Sequence, residues 1–365
     1  MENYSLIKTR NNPQETTNSL LAQMLNKNLV QAVLAPATTP YSALPMPALF
    51  SSPGDLERAA PLAPVAGISA ATQAGRISRA PSNALTAAVL RPCEIRALVE
   101  LHKLNQANLR NLVLVGLECL GRLENRTYLE LRERNPDLDL VFYRDPEIRA
   151  QVCSTCSSCV DFLPAGAHIS IRVAGLDPEQ ELSVSWESEQ AADLASHLEL
   201  EPQEEPAKHR EQVQALAAER EQARQKRLES TREDIHGLTR LQEVIGDCLG
   251  CFNCQRACPI CFCRECVCSR EAFDRDPGTL HSLAQRPGGL RLPGDLTMFH
   301  LTRMAHMAHA CVGCGQCSSV CPSGIPLADI FRSVGSRTQQ ALGYEPGRSP
   351  EDPIPFLNFS QEGSS

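Results

Sequence analysis

The sequence predicts an α/β domain followed by a mostly α-helical, cysteine-rich domain, with a helical linker joining the two. Three observations carry this prediction. Short apolar runs alternate with segments of helical periodicity over residues 1–176, a charged segment with high helix propensity follows, and most of the 17 cysteines lie in tight runs after it. A chain of 365 residues is long enough for two domains of ordinary size.

The predicted α/β domain occupies residues 1–176. Its strands are expected at 30–35, 87–90, 112–117 and 168–173, and its helices at 18–29 and from Cys93 onward. Pro92 suits the start of the second helix, because a backbone N–H is not needed there. The segment 36–81 carries eight prolines and is therefore expected to be rich in loops.

The segment 177–237 is predicted as a charged helical linker. Acidic residues outnumber basic ones in it, and residues 208–232 combine high helix propensity with few large apolar side chains. Such a helix is expected to be exposed, as a solvated spacer between two domains.

Two copies of one cysteine motif dominate the part of the chain that follows. Each has the spacing C-x2-C-x2-C-x3-C and a trailing proline, which is the bacterial ferredoxin pattern for 4Fe-4S clusters. The copies are Cys248, Cys251, Cys254, Cys258 and Cys311, Cys314, Cys317, Cys321. Three closely spaced thiolates can reach three irons of one cubane, and the fourth cysteine points to the other cluster. We therefore expect Cys258 to complete the second site and Cys321 the first. A pair of zinc sites is the alternative.

Residues 238–345 are thus predicted as a dicluster 4Fe-4S domain of the ferredoxin type, with helices at 296–310 and 327–342, followed by an extended tail at 346–365. The 52 residues between the motifs exceed the connection of a compact ferredoxin. In this respect the domain resembles the α-helical ferredoxin domain of succinate dehydrogenase and heterodisulfide reductase subunits.

A third cysteine group lies in the α/β domain. Cys153, Cys156 and Cys159 have the spacing C-x2-C-x2-C without the trailing Cys-Pro, so a fourth ligand must come from elsewhere. Cys119 is well placed, because it follows the strand at 112–117 and strand ends converge on one edge of an α/β sheet. The group predicts a third 4Fe-4S cluster, with a zinc knuckle or spare thiols as the alternatives.

Other residues with metal-binding or redox chemistry are less clearly patterned. Cys261, Cys263, Cys266 and Cys268 could hold a fourth cluster or a single metal ion, or could tune the neighbouring cluster. Cys93 lies at a helix N-terminus beside Arg91, where the helix dipole lowers a thiol pKa and suits an anion. It is either a reactive thiol or, as we prefer, a packing residue in a turn that approaches cofactor phosphates. His300, His306 and His309 fit a packing helix near a cluster better than a haem or metal site.

Composition and missing signals exclude several function classes. The formal charge of −8 argues against a nucleic-acid-binding protein. The sequence contains no P-loop, no G-x-G-x-x-G and no G-x-S-x-G motif. It also lacks an N-terminal export signal and an apolar stretch of about 20 residues. An odd number of clustered cysteines fits cofactor-binding thiolates in a reducing compartment, so we expect a cytoplasmic protein.

Three segments of the α/β domain match a known pattern in the correct order. Residues 90–97 (LRPCEIRA) fit P-C-Q/E-I-x-A, residues 115–119 (VGLEC) fit the strand end G-L-x-C, and residues 156–170 fit C-x-x-C-x-D-F followed by A-D-I-S, with His168 in place of the aspartate. The domain thereby resembles the beta subunit of deazaflavin-coenzyme-reducing hydrogenase and formate dehydrogenase. The resemblance implies FAD and a 4Fe-4S cluster in this domain, and it supports Cys119 as the fourth ligand of the third cluster. Arg91, Pro92 and Cys93 are the residues expected near the flavin.

These observations predict an electron-transferring iron–sulfur subunit, containing flavin, of a cytoplasmic oxidoreductase complex. By resemblance it links a hydride carrier or flavin to partners of the formate dehydrogenase, hydrogenase or heterodisulfide reductase type. Two alternatives remain, namely a flavin-free electron wire with several clusters and a zinc-binding structural module. Clusters act by outer-sphere electron transfer, so no acid–base catalytic residue is expected.

Overall fold

The computed structural model describes residues 2–80, 84–263, 266, 278, 281–282, 285 and 295–355. Its described N-terminal part is built on a seven-stranded sheet with the order β1-β7-β6-β5-β4-β2-β3. The strands are β1 Asn3–Lys8, β2 Ala32–Thr39, β3 Ser42–Phe50, β4 Thr86–Leu90, β5 Leu112–Leu117, β6 Ile169–Arg172 and β7 Glu181–Trp186. The neighbours β2, β4, β5 and β6 run parallel, whereas β3 and β7 pair with them in the antiparallel direction and β1 pairs antiparallel with β7.

Helices cover both faces of the sheet and form most of the C-terminal part. They are α1 Pro13–Asn26, α2 Ala70–Ser78, α3 Pro92–Lys103, α4 Asn125–Arg134, α5 Leu138–Arg144, α6 Pro146–Arg149, α7 Ser154–Ser157, α8 Glu189–His197, α9 Ala207–Asp234, α10 Gly237–Val244, α11 Asn253–Arg256, α12 Asp295–Met307, α13 Gln316–Ser319 and α14 Leu327–Leu342, with 3-10 turns at Pro53–Arg58 and Leu109–Asn111. No helix in the described parts of the chain combines the length and hydrophobicity that a membrane span requires. The predicted class, an α/β part followed by a cysteine-rich helical part, is confirmed.

The start of α3 follows directly from its local sequence. Pro92 occupies the first turn, where no donor is lost, and the Glu94 carboxylate accepts a hydrogen bond from the Arg91 backbone N–H at 2.9 Å. Because α3 starts where β4 ends, Arg91 and Cys93 lie at the carboxyl edge of the parallel strands. Cys119 reaches the same edge from the end of β5.

Alternating residues of the parallel strands enter two different cores. Ala87 and Val89 of β4 pack with α1 and α8 on one face of the sheet. Ala88 and Leu90 face the other side and belong to one continuous apolar cluster with Phe299, Ile330 and Phe331 of the C-terminal helices. The sheet and the cysteine-rich part therefore share a hydrophobic core.

The boundary predicted at residue 176 is wrong, because the sheet continues beyond it. β7 pairs with both β1 and β6, and α8 packs its alanines into the core of the sheet. Leu182, Val184 and Trp186 are buried at alternate positions of β7. The acidic residues around this short strand dominate the composition of the segment and hide its alternation.

The helix predicted at 208–232 is present as α9, but it is not a solvated spacer. His209, Arg220 and Thr231 are buried, and α9 lies along α14. Arg227 of α9 donates to the Asp329 carboxylate of α14 at 2.6 Å. The helix thus joins the two parts of the molecule through side-chain contacts as well as through the chain.

Candidate metal centres

Twelve cysteine thiols lie in three groups of four. We name them the sheet-edge group (Cys119, Cys153, Cys156, Cys159), the central group (Cys258, Cys311, Cys314, Cys317) and the outer group (Cys248, Cys251, Cys254, Cys321). No disulfide links the described cysteines. We group the thiols by the charges that act on one another, and the exchange of the fourth cysteine between the two ferredoxin motifs stays a prediction.

The sheet-edge group is assembled by the end of β5 and the loop around α7. The Cys119 backbone N–H donates to the Phe162 carbonyl at 3.0 Å, and the Cys153 N–H donates to the Arg122 carbonyl at 2.8 Å. These bonds join the two loops, so that the Sγ atoms of Cys153 and Cys156 lie 3.2 Å apart. Burial raises the pKa of Cys119 to about 11, and the charge of the nearby Cys156 acts in the same direction.

The central group combines the last cysteine of the first motif with three of the second. Burial raises the pKa of Cys314 to about 12, and the neighbouring charge of Cys258 acts in the same direction. The same two causes raise the pKa of Cys311, with Cys258 again among its charged neighbours. The four thiols line one cavity together with apolar side chains, among them Met307, Val312 and Phe331.

The outer group lies toward the surface. Burial raises the pKa of Cys254 to about 11, and the charges of the three other members contribute. Cys251 is exposed. His300, which is buried, lies with Nε2 3.3 Å from the Cys248 Sγ, and burial lowers its pKa to about 4, so it stands beside the thiol as a neutral ring.

The donor sets fit iron–sulfur clusters. Each group consists of four thiols, which is the ligand set of a 4Fe-4S cluster. The central-group loop turns at Gly313 and Gly315, whose φ values of +67° and +77° are strained for residues with a Cβ. In the described parts of the chain, no set of three or more His, Cys, Asp or Glu side chains converges as the ligands of a single metal ion.

Arginine side chains surround the thiols, and no sequence motif predicts their positions. The Arg220 guanidinium of α9 donates to the carbonyls of Cys119 at 3.2 Å and Leu120 at 2.7 Å. Arg332 donates to the carbonyls of Thr155 at 3.0 Å and Ser158 at 2.7 Å. Arg122 and Arg303 are buried among the thiols themselves. These contacts join segments far apart in the chain, so spacing within a motif does not reveal them.

Arg91, Pro92 and Cys93 do not form an open cofactor site. The Arg91 guanidinium is buried and donates to the carbonyls of Ala63 at 2.8 Å and Val65 at 2.5 Å. Burial raises the pKa of the Cys93 thiol, and the nearby Glu94 carboxylate adds to the increase. The expectation that the helix dipole lowers this pKa is therefore wrong, because desolvation outweighs it.

Among the cysteines after Pro259, the charges of Cys263 and Cys266 both act on Cys261, and a fourth metal site at these thiols stays a prediction. Burial raises the pKa of Cys261 to about 12, with the charge of Cys258 as the next cause, so Cys261 lies beside the central group. Cys263 is exposed, and the Cys266 Sγ accepts a hydrogen bond from Gln255 Nε2 at 3.1 Å. Cys268 lies outside the described residues. His306 is exposed and His309 is half-buried.

Known proteins provide an independent comparison. No family model matches the chain. It is 25% identical over 289 residues to the F420-dependent formate dehydrogenase subunit beta of Methanocaldococcus jannaschii, which covers 70% of this chain and 72% of that protein. It is 28% identical over 378 residues to the F420-dependent formate dehydrogenase 1 subunit beta of Methanococcus maripaludis, with 92% and 91% covered.

Among solved structures, a chain of the xenon-derivatized F420-reducing NiFe hydrogenase complex from Methanosarcina barkeri superposes with a TM-score of 0.47 at 14% identity, covering 66% of this chain and 94% of that chain. The two formate dehydrogenase matches span most of each protein. The chain is therefore similar, over most of its length, to the beta subunits of F420-dependent formate dehydrogenases.

Proposed function

We propose that the chain is an electron-transfer subunit of an oxidoreductase complex, with a 4Fe-4S cluster at each of its three cysteine groups. The observation that carries this proposal is the exchange of the fourth cysteines. Cys258 lies with the three thiols of the second motif, and Cys321 lies with those of the first, as in two-cluster ferredoxins. The homology to formate dehydrogenase beta subunits supports it.

The protein's contribution is to hold and shield the thiolates. A 4Fe-4S cluster supplies one-electron transfer at a potential that the surrounding charge, hydrogen bonds and solvent exposure set. The side chains of Met307, Val312 and Phe331 keep water away from the central group. At the outer group, the Arg303 guanidinium donates to the Cys254 Sγ at 3.0 Å and offsets its negative charge.

The partners follow from the relatives and from the exposed side of the outer group. The relatives are F420-dependent formate dehydrogenase subunits, so we propose a cytoplasmic complex with a formate dehydrogenase, hydrogenase or heterodisulfide reductase-type partner. Cys251 and the neighbouring Leu249 are exposed, which makes this side accessible to a redox partner. One-electron clusters exchange electrons with a two-electron hydride carrier through a cofactor that can do both, such as a flavin, and a flavin is part of the proposal.

The flavin fits a different place from the turn at Arg91. A cavity of about 790 Å³ lies beside the sheet-edge group, within the size range of cofactor sites. Residues that flank two cysteines of the group line it, namely Leu120 and Val152, together with Tyr143, Arg149 and Arg220. The arginines suit an anionic cofactor.

The first experiment is anaerobic purification followed by measurement of iron, acid-labile sulfide, zinc and flavin per chain. The proposal predicts about 12 iron and 12 sulfide, at four of each per cluster, and one flavin. About 8 iron without flavin would leave a flavin-free wire with two clusters. Zinc without sulfide would establish the structural zinc module and overturn the proposal.

The flavin site has its own test. Arg149→Glu places a negative charge in the cavity, and we expect it to lower the flavin content of the purified chain while the iron content is unchanged. Arg126→Glu, at an exposed arginine of α4 outside the cavity, is the matched charge control. Unchanged flavin in Arg149→Glu would place the cofactor elsewhere.

A further inference from the structure

Arg122 stands between the sheet-edge group and the central group. It is 3% exposed, and although burial lowers its pKa, the charges of Cys153, Cys156 and Cys314 are among the causes that raise it above the ordinary value. A Cβ at Gly315 would lie 3.1 Å from Arg122 Nη2, so the guanidinium rests against the central-group loop. One guanidinium thus faces thiols from two groups.

Other contacts support the nearness of these two groups. Cys159 of the sheet-edge group and Cys311 of the central group line the same crevice. Arg332 borders that crevice and donates to the Ser158 Oγ at 2.9 Å. The sheet-edge and central groups are therefore neighbours in the fold.

Arg303 occupies the equivalent place between the central and outer groups. It is 3% exposed, and its Nη1 donates to the Sγ of Cys254, an outer-group thiol, at 3.0 Å. Its guanidinium also lines the central-group cavity and interacts with the Cys258 thiol. Phe299 and Phe331 hold it from the sides, with their ring centroids 5.5 Å and 4.8 Å from the guanidinium carbon.

Each of the two arginines keeps a buried donor without a hydrogen-bond partner among the residues that the structure describes. These donors are Arg122 Nη1 and Arg303 Nε. The carboxylate nearest to Arg122 Nη1 belongs to Glu124 and lies 3.7 Å away, beyond hydrogen-bond distance. A buried charged donor without an acceptor is costly, so each guanidinium is arranged for an acceptor that the cysteine groups bring with them.

We propose that Arg122 and Arg303 are the two junction charges of a linear array, with the central group between the other two, and that each raises the reduction potentials of both centres that it adjoins. The inference rests on the proposed function. A fixed positive charge favours the more negative, reduced form of a nearby cluster, and low exposure limits the screening of that charge by solvent. Both residues act through the clusters that they adjoin, so they are positioning residues for electron transfer.

The test is a redox titration of the whole chain followed by electron paramagnetic resonance. Signals are assigned with one double Cys→Ala variant per group, at Cys156 and Cys159, at Cys314 and Cys317, and at Cys251 and Cys254. We expect R303Q to lower the outer and central midpoint potentials and R122Q to lower the sheet-edge and central ones. Each variant should change the ratio of oxidised to reduced centre at a fixed potential at least tenfold. For a one-electron centre this corresponds to a midpoint shift of about 59 mV.

Three variants serve as controls. R220Q changes an arginine whose hydrogen bonds go to the sheet-edge group and not to the other two. We therefore expect it to shift the sheet-edge signal only. R303K and R122K keep the charge, and we expect them to restore most of each shift. If a glutamine variant fails to load iron, the potentials of the lysine variant and the magnetic measurement described below test the proposal instead.

The order of the centres is tested separately by magnetic interaction between reduced centres. If the central group lies in the middle of the array, the double variant of the central group should abolish the magnetic interaction between the outer and sheet-edge signals. The double variant of the sheet-edge group should leave the interaction between the outer and central signals intact. A persistent interaction in the central-group variant would overturn the order. Shifts of one signal only, or equal shifts of all three, would overturn the role of the arginines. Absence of iron and sulfide in the wild type would instead refute the proposed function itself.

Discussion

At the residue scale, two glycines in and just after the second cysteine motif differ in how much space a side chain would have. Gly315 has a φ of +77°, and a Cβ there would lie 3.1 Å from both Arg122 and Thr155. Gly324 has a φ of +66° and open space around it. Backbone strain is therefore common to both positions, whereas the steric conflict is specific to Gly315.

We predict that Gly324→Ala lowers the free energy of unfolding by about 1 kcal/mol, which is the cost of the left-handed conformation alone. Gly315→Ala should cost more, because Arg122 must also move. Chemical denaturation of the iron-loaded protein measures both. Equal losses would show that the contact with Arg122 does not constrain the loop.

A second residue-scale prediction separates ligands from bystanders. Cys93 and Cys156 are both half-buried, and sheet-edge thiols shift the pKa of each, but only Cys156 is assigned as a ligand. We expect Cys156→Ala to lose about four irons per chain, the content of one cluster, and Cys93→Ala to lose none. Loss of iron in both variants would require a revised ligand set.

The sequence allowed the cysteine groups to be predicted but not their electrostatic surroundings. Motif spacing determines which thiols can share a cluster, so Cys258 and Cys321 could be assigned to opposite sites in advance. Arg303 reaches Cys254 from α12, 49 residues later in the chain. No spacing rule exists for such a contact, because it depends on how the Arg303 side chain packs between the rings of Phe299 and Phe331.

At the element scale, α9 is held by a buried histidine. His209 Nε2 lies 3.0 Å from a Glu118 oxygen, and Nδ1 lies 2.8 Å from a Glu205 oxygen. Burial lowers the pKa of His209, but the hydrogen bond and charge of Glu118 outweigh it and raise the pKa above the ordinary value. Although burial opposes this, the same bond holds the pKa of Glu118 below its usual range.

This contact predicts a pH-dependent anchor for α9. Because the folded-state pKa of His209 is raised, its stabilisation is fully present below the unfolded-state pKa of about 6.5 and is lost as pH rises through the folded-state pKa. We expect His209→Gln to lower the free energy of unfolding by about 2 kcal/mol at pH 6 and by less at pH 9. A difference that does not change with pH would exclude a charged His209.

The elements themselves were predictable to different degrees. The strand Leu112–Leu117 and the helix Leu327–Leu342 match their predicted bounds, because each is a clear apolar run or helical period. α1 begins at Pro13 rather than near residue 18, since the Asn12 side chain caps it by accepting from the Glu15 N–H. β3 lies in the segment expected to be loop-rich. Its two prolines are tolerated because it is an edge strand.

At the scale of the whole molecule, the shared core indicates that the two parts fold together. Leu34 and Leu98 of the α/β part belong to the same apolar cluster as Phe299 and Phe331 of the C-terminal part. The segment after α14 also joins the two parts, because the Glu100 carboxylate of α3 accepts a hydrogen bond from the Tyr344 hydroxyl at 2.7 Å. Sequence composition favours two separable domains, but it carries no information on which faces pack together.

We therefore predict one cooperative unfolding transition for the iron-loaded chain in calorimetry. A fragment of residues 238–355, produced alone, should aggregate or fail to retain eight irons, because the face that packs on α3 would be exposed. The full chain reconstituted under the same conditions is the control. A stable fragment with eight irons would show that the interface between the parts is dispensable.

The exposure of Cys251 has a consequence for handling the protein in air. Dioxygen and its reduced products reach an exposed thiolate before they reach a buried one, and cysteine oxidation follows accessibility. Degradation in air should thus begin at the outer group, while the sheet-edge and central thiols, enclosed by the sheet and α14, persist longer. A sample exposed briefly to air would then have lost the outer group's metal-binding thiols while the sheet-edge and central groups were still intact.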